Sequence, residues 1–255
     1  MTINSGTTLN TGKGALITRA WKPGVISSAG NIREMVTNAE AALTLHINAN
    51  QGSDADGDYL ESLDVSDYGT VVETLDPTGN VFTLILHCKL STLAPSASYN
   101  GLCGLYKAGG LSLITLLQDG AGTSFRADWG PSAATALFED TTLLLTVNTL
   151  TTFVVTNNGT TQKLLITGVS PPTALSDTGA QDTGAATEFA FGAWPGRYYF
   201  AGLIDGTALS DVDAQAVANN INAELFDAVG GGGGGATTGR GIGRGIARGI
   251  GRGVR

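Results

Sequence analysis

Hydrophobic and polar residues alternate with a period of two along residues 81–90, placing Phe82, Leu84, Leu86, Cys88 and Leu90 on one face. Thr83, Ile85, His87 and Lys89 fall on the other face, the pattern of a β-strand. Shorter runs predict strands at 59–65, 101–107, 112–117, 124–129, 143–147, 153–156, 163–167, 188–192 and 199–205. Turn signals separate them at 76–79, Gly109-Gly110, Asp119-Gly120, 157–159 and Pro171-Pro172. Asn158-Gly159, set between two apolar runs, is the strongest hairpin signal in the chain. Many short strands with frequent turns imply a sandwich or barrel.

Helical spacing is confined to a few places. Ser210 reads as an N-cap with Asp213 at the third helical position, and Val212, Ala216, Ile221, Leu225 and Phe226 supply an apolar stripe. These residues predict one helix over about 210–227. Residues 31–43 carry a weaker pattern and predict a short helix. The chain therefore divides into an N-terminal arm, 1–42, a β-rich body, 43–229, and a tail, 230–255. The arm is expected to pack on the body or on a neighbour.

The tail is a composition apart. Six glycines, Gly230 to Gly235, read as a flexible hinge. A nearly perfect four-residue unit, Arg-Gly-Ile-Gly, follows. As an extended strand it presents one face of glycine, with Ala247 once. The other face alternates Arg240, Ile242, Arg244, Ile246, Arg248, Ile250, Arg252 and Val254. A face without side chains lets another backbone approach closely, so the tail is expected to serve assembly or attachment by strand addition. Collagen needs glycine at every third residue rather than every second. RNA-binding arginine–glycine segments interleave aromatics, and this tail has none. So much glycine works against an amphipathic helix on a membrane, and glycine alone would give a disordered tail.

Charge sharpens the division. The whole chain carries −8, and removing the five tail arginines, which have no acidic neighbour after Gly230, leaves −13 on the body. Such a body is a poor partner for a nucleic-acid backbone. Charged residues make up 14%, against about 25% in an ordinary domain, which suits a protein packed in an assembly. No apolar run approaches a membrane span, and Met1-Thr-Ile-Asn does not open a signal peptide, so synthesis in a cytoplasm is expected. The two cysteines, Cys88 and Cys103, leave two readings open, a bridge between neighbouring strands or two buried thiols.

Catalytic chemistry finds few carriers. Glycosidic cleavage on a strand would show carboxylates at i, i+2 and i+4, and no apolar strand carries such a set; Glu61 and Asp64 are three apart. His46 and His87 are the only histidines, and neither sits in a metal-spaced cluster. Asp54, Asp56 and Asp58 resemble part of a calcium loop, but Gly57 falls inside the triplet, so an acidic turn is the plainer reading. No cofactor is expected otherwise. Trp129 and Trp194 lie at turn signals, where their rings either stack on a sugar or cap the core. With Arg197 they are the candidate ligand contacts, whereas Tyr199 is expected in the core.

Four segments, in order, resemble the laminin-G-like and concanavalin-type jelly roll. They are Asp56 to Asp64, residues 81–90, Phe153 to Val169, and the set Phe189 to Ala193, Tyr199 to Asp205 and Ala208 to Asp211. The resemblance covers about residues 43–226. It departs where His87 replaces the family's tryptophan, and where the stretch from Asp205 to Ala208 is short. It implies an all-β antiparallel sandwich with one short C-terminal helix and an extended glycine–arginine tail. Together with the low charge and the tail it also resembles a non-enzymatic bacteriophage virion component, of decoration, tail or fibre. Such modules bind other virion proteins, copies of themselves or surface glycans. A free carbohydrate-binding lectin is the alternative expectation.

Overall fold

A computed structural model describes residues 8–23, 31–37, 39–75, 81–92, 100–107, 111–118, 125–128, 146–159, 161–167, 173–175 and 186–227. The strands are β1 (Arg19–Pro23), β2 (Asn31–Glu34), β3 (Ala39–Leu45), β4 (Asn50–Asp54), β5 (Gly57–Ser62), β6 (Gly69–Leu75), β7 (Val81–Leu90) and β8 (Asn100–Lys107). They continue as β9 (Leu111–Gln118), β10 (Phe125–Asp128), β11 (Leu150–Asn158), β12 (Gln162–Ile166), β13 (Thr173–Leu175), β14 (Ala186–Phe191) and β15 (Gly196–Asp205). A 3-10 turn, Lys13–Leu16, precedes them, and the helices α1 (Asp211–Asn219) and α2 (Ile221–Leu225) follow. The chain is an all-β sandwich of two antiparallel sheets with a short helical layer.

One sheet runs β2-β1-β15-β7-β11-β12-β13, with the β4–β5 hairpin also joined to β15. The other runs β10-β9-β8-β14-β6-β3. The sheets are stitched together by β3, whose first half pairs with β2 and whose second half pairs with β6. The alternation along β7 explains the packing. Phe82, Leu84, Leu86, Cys88 and Leu90 enter the core between the sheets with Phe153, Phe189, Trp194, Tyr198 and Leu203. On the other face Ile85 joins Val154, Phe200 and Ile204 beneath Val217, Ile221 and Leu225 of the helices. Two apolar layers are therefore buried, one on each face of the first sheet, which is why β7 is buried almost throughout.

The Asn158-Gly159 hairpin joins β11 to β12. Gly159 takes φ +89, Thr161 N–H donates to Asn158 Oδ1 at 2.8 Å, and Asn157 pairs with Gln162. Ser210 caps α1, its Oγ accepting from Asp213 N–H at 3.2 Å. The expected single helix is instead two, broken at Asn220 (φ −152°, ψ 68°), whose side chain accepts from Ala223 N–H and starts α2. Asparagine competes for backbone donors more effectively as a cap than within a helix.

The expected helix over 31–43 is a β-hairpin, β2 and β3. Its residues gain more by pairing on both sides, to β1 and β6, and by burying Ile32 in the inter-sheet core. Glu34 fastens the turn, its carboxylate accepting from the N–H groups of Ala20, Val36 and Thr37. β1, β2 and β3 are thus integral strands of the sandwich, and the boundary expected at 43 falls inside β3. The strand expected at 143–147 finds a turn at Val147-Asn148, its earlier residues lying outside the described ones. Cys88 and Cys103 are unbridged and buried, and burial pushes both thiols well above the usual range. Among the described residues no helix is long and apolar enough to cross a membrane.

Candidate functional site

A β-bulge organises the polar end of the first sheet. Along β15 the register against β7 shifts between Tyr198 and Phe200, so Tyr199 has no partner of its own. Tyr198 enters the inter-sheet core, and Phe200 joins the cluster under the helices. Bulges re-aim side chains in this way. Tyr199 meets the ring of Tyr59 edge-on, at 5.9 Å between centroids, and its hydroxyl donates to Asp54 Oδ2 at 2.9 Å.

Asp54 closes the β4–β5 hairpin. Its Oδ1 accepts from the N–H groups of Asp56 and Gly57 at 2.8 and 3.2 Å, and its Oδ2 also accepts from Arg197 Nη1 at 2.9 Å. Burial would raise its pKa, but the Asp56 backbone, Tyr199, Arg197 and the nearby Lys89 charge together hold it below the usual carboxylate range. Arg197 donates from Nε to Glu61 Oε1 at 3.0 Å, and its guanidinium lies 4.5 Å above the Tyr59 ring. The bonds to Glu61 and then Asp54 raise its pKa, so it stays charged. Lys89 pairs with Asp56 across the hairpin tip. Beneath, Lys22 is buried against Asp58 at 3.5 Å, and its burial lowers its pKa to about 8.

Beside this network opens a cleft of about 300 Å³ whose walls include Glu61, Leu63, Lys89, Ser91, Asn148 and Arg197. Gly196 forms part of the lining because the β7 backbone comes so near; a Cβ there would stand 2.6 Å from Lys89 O. Asn148, at φ 59°, donates its N–H to Leu90 O and closes the far side. The cleft offers carboxylate, ammonium, guanidinium, amide and hydroxyl groups in near balance, and the side chain of Arg197 remains 37% exposed. Such a rim suits a neutral, polyhydroxylated ligand better than a strong anion, because its cations already face carboxylates.

The expected site residues separate here. Arg197 lines the cleft. Trp194 is fully buried, its Nε1–H donating to Thr92 O at 2.8 Å, so it is a core residue and presents no face to a sugar. The Trp194-Pro195 turn looks exposed in the sequence, but β15 begins at Gly196 and draws the ring inward. Trp129 and the tail residues Arg240 to Val254 lie outside the described residues. Asp54, Asp56 and Asp58 do not converge: they serve Arg197 and Tyr199, Lys89, and Lys22 respectively. Among the described residues no group of three His, Cys, Asp or Glu is placed to hold a metal ion. Tyr59 and Lys89 carry no site signal in the sequence, and Glu61 draws notice there only as a glycosidic carboxylate set aside; the one signal available is that Tyr59, Glu61 and Arg197 alternate with core residues on their strands.

No family model matches the chain, and no curated protein matches it. Solved structures do. A Trypanosoma rangeli sialidase in complex with the inhibitor DANA is similar at 12% identity and TM-score 0.53, over 79% of this chain and 32% of the sialidase. The same organism's sialidase, as its covalent intermediate with 2,3-difluorosialic acid, is similar at 14% and 0.56, over 84% of this chain and 34% of that one. The botulinum neurotoxin serotype D binding domain is similar at 13% and 0.54, over 79% of this chain and 51% of that one. The chain is an all-β sandwich. It spans about a third of the sialidases and half of the toxin domain, so the likeness is one of fold.

Proposed function

We propose that this chain is a non-enzymatic structural protein of a bacteriophage virion, with the lectin-like sandwich displayed and the tail, 230–255, attaching it to other copies or to other virion proteins. The observation that carries the reading is the pairing of residues 8–10 with residues 224–227. Leu9 bridges Phe226 in antiparallel fashion, Asp227 N–H donates to Thr8 O at 3.0 Å, and Asn10 Nδ2 donates to Glu224 O at 3.0 Å. Residues 8–10 and 224–227 are therefore held side by side, which suits attachment through one patch. The charge division, −13 on the body against five tail arginines, supplies attraction between them. Pairing of Asp54 and Glu61 with Arg197 favours a binding role over acid–base chemistry, because the one guanidinium engages both carboxylates. The test is a transplant: residues 230–255, fused to an unrelated monomeric carrier, should retain immobilised full-length chain. Failure to retain it, or retention equal to that of bare carrier, contradicts attachment of the tail to other copies of the chain.

A second reading, a carbohydrate-binding module, is favoured by the cleft beside Arg197. It predicts micromolar-to-millimolar glycan binding on the order of Kd 10⁻⁵ to 10⁻³ M, lost in Arg197→Ala; silence across a broad glycan array removes it.

A further inference from the structure

A second concavity, of about 340 Å³, lies between residues 8–17 and Met35-Val36. Leu9, Ala15, Ile17, Met35 and Val36 give it apolar walls, and Thr8 stands at its edge. Ala15 and Val36 are exposed, whereas Ile17 and Met35 are buried in its floor. The site is built by close backbone approach. Gly14 lies so near α2 that a Cβ there would stand 2.3 Å from Leu225 O, and Asn10 Oδ1 accepts from both Gly12 and Gly14 N–H. Its surroundings are acidic. Asp213 and Glu224 share Lys13, at 3.2 and 2.6 Å, and Asp227 accepts from the Thr8 hydroxyl.

We propose that this groove is the receptor for the Arg-Gly-Ile-Gly tail of a second copy of the chain. The proposal rests on the reading of the tail as an assembly element and names what the tail binds. Several observations converge on that occupant. The described chain stops at Asp227, hydrogen-bonded to Thr8 on the groove's edge, so 28 residues start from this place. Ile242, Ile246, Ile250 and Val254 recur every four residues, about 13 Å apart in an extended chain, and match an apolar trough. The intervening arginines match the carboxylates of Asp213, Glu224 and Asp227. Glycine at alternate positions lets the inserted strand lie close to the Leu9 backbone, where strand-like pairing with Phe226 has already begun. The twelve residues between Asp227 and Arg240, largely glycine, span about 20 Å as a coil, enough to cross to an adjoining copy.

The experiment is light scattering over a concentration series on full-length protein and variants. Ala15→Lys/Val36→Lys places two cations at exposed positions in the groove and should raise the apparent dissociation constant at least about tenfold. Val72→Lys, at an 86% exposed position on the other sheet, should leave it unchanged. A synthetic peptide of residues 239–255 in excess should break up the wild-type oligomer. The double variant must melt within a few degrees of wild type; if it does not, Val36→Glu/Ala15→Ser is read in its place by peptide competition, where a changed peptide affinity supports the groove and an unchanged one overturns it. Wild-type assembly in the double lysine variant overturns the groove. If the chain ending at Val229 is then a monomer, the tail still assembles the protein but docks elsewhere. If that shortened chain keeps the full oligomer, both the groove and the reading beneath it fail.

Discussion

Burial decides what individual residues here do more than their chemical type does. Trp194 has the profile of a sugar-stacking ring in sequence, beside a proline and a glycine, yet it is a core side chain whose backbone carbonyl accepts from the Tyr198 hydroxyl at 2.7 Å. Trp194→Ala should destabilise the protein by about 3–5 kcal/mol, read by chemical denaturation; a loss below 1 kcal/mol would mean the ring is not packed as described. His87 shows the same effect in its titration. Burial between β11 and Tyr199 lowers its pKa to about 3, its Nδ1 lying 2.9 Å from Thr152 Oγ1. Because the unfolded imidazole binds a proton near pH 6.5 and the folded one does not, stability is complete above pH 6.5 and declines as the pH falls toward 3. Denaturation midpoints should fall between pH 7 and pH 4, and the fall should be smaller in His87→Gln; an equal fall in both would assign it to other groups. Ile47 is 72% exposed at φ 54°, a costly conformation for a β-branched residue. Ile47→Gly relieves that strain at a smaller cost in chain entropy, so the melting temperature should hold or rise.

At the scale of elements, period-two alternation was readable and pairing context was not. The faces of β7 could be assigned from sequence because its residues alternate over ten positions. The same sequence could not say that the second face is also buried, since the helices that cover Ile85 come more than 120 residues later. The weak helical pattern over 31–43 gives way to the β2–β3 hairpin, for which the decisive forces are the ladders to β1 and β6. The candidate site was half legible. Arg197 and Asp54 each drew attention for separate reasons, and nothing local indicates that residues 143 positions apart share a hydrogen bond. The break between α1 and α2 is a capping effect. Asn220→Ala should cost about 1 kcal/mol by removing the acceptor for Ala223 N–H, seen as a lower denaturation midpoint; no change would mean the cap contributes nothing.

The whole molecule couples a net-acidic sandwich to two segments, 8–10 and 224–227, that pair with each other. The β4–β5 hairpin, the bulge at Tyr199 and Arg197 form one rigid polar corner with a cleft beside it. The strand-like contact of Leu9 with Phe226 holds residues 8–10 against residues 224–227. That geometry makes sense for a module held at one patch while the remainder of its surface is presented. Assembly through oppositely charged segments should weaken with salt, because exposed charges are screened within about 8–10 Å at 0.10–0.15 M ionic strength.

The most direct test of the account is the solution mass, by light scattering at low and at 0.5 M salt, of full-length protein and of the chain ending at Val229. The account predicts a defined oligomer for the full-length protein, weakened by salt, and a monomer for the shortened one. The same oligomer from both, indifferent to salt, would place the interface in the sandwich and contradict the role assigned to the tail.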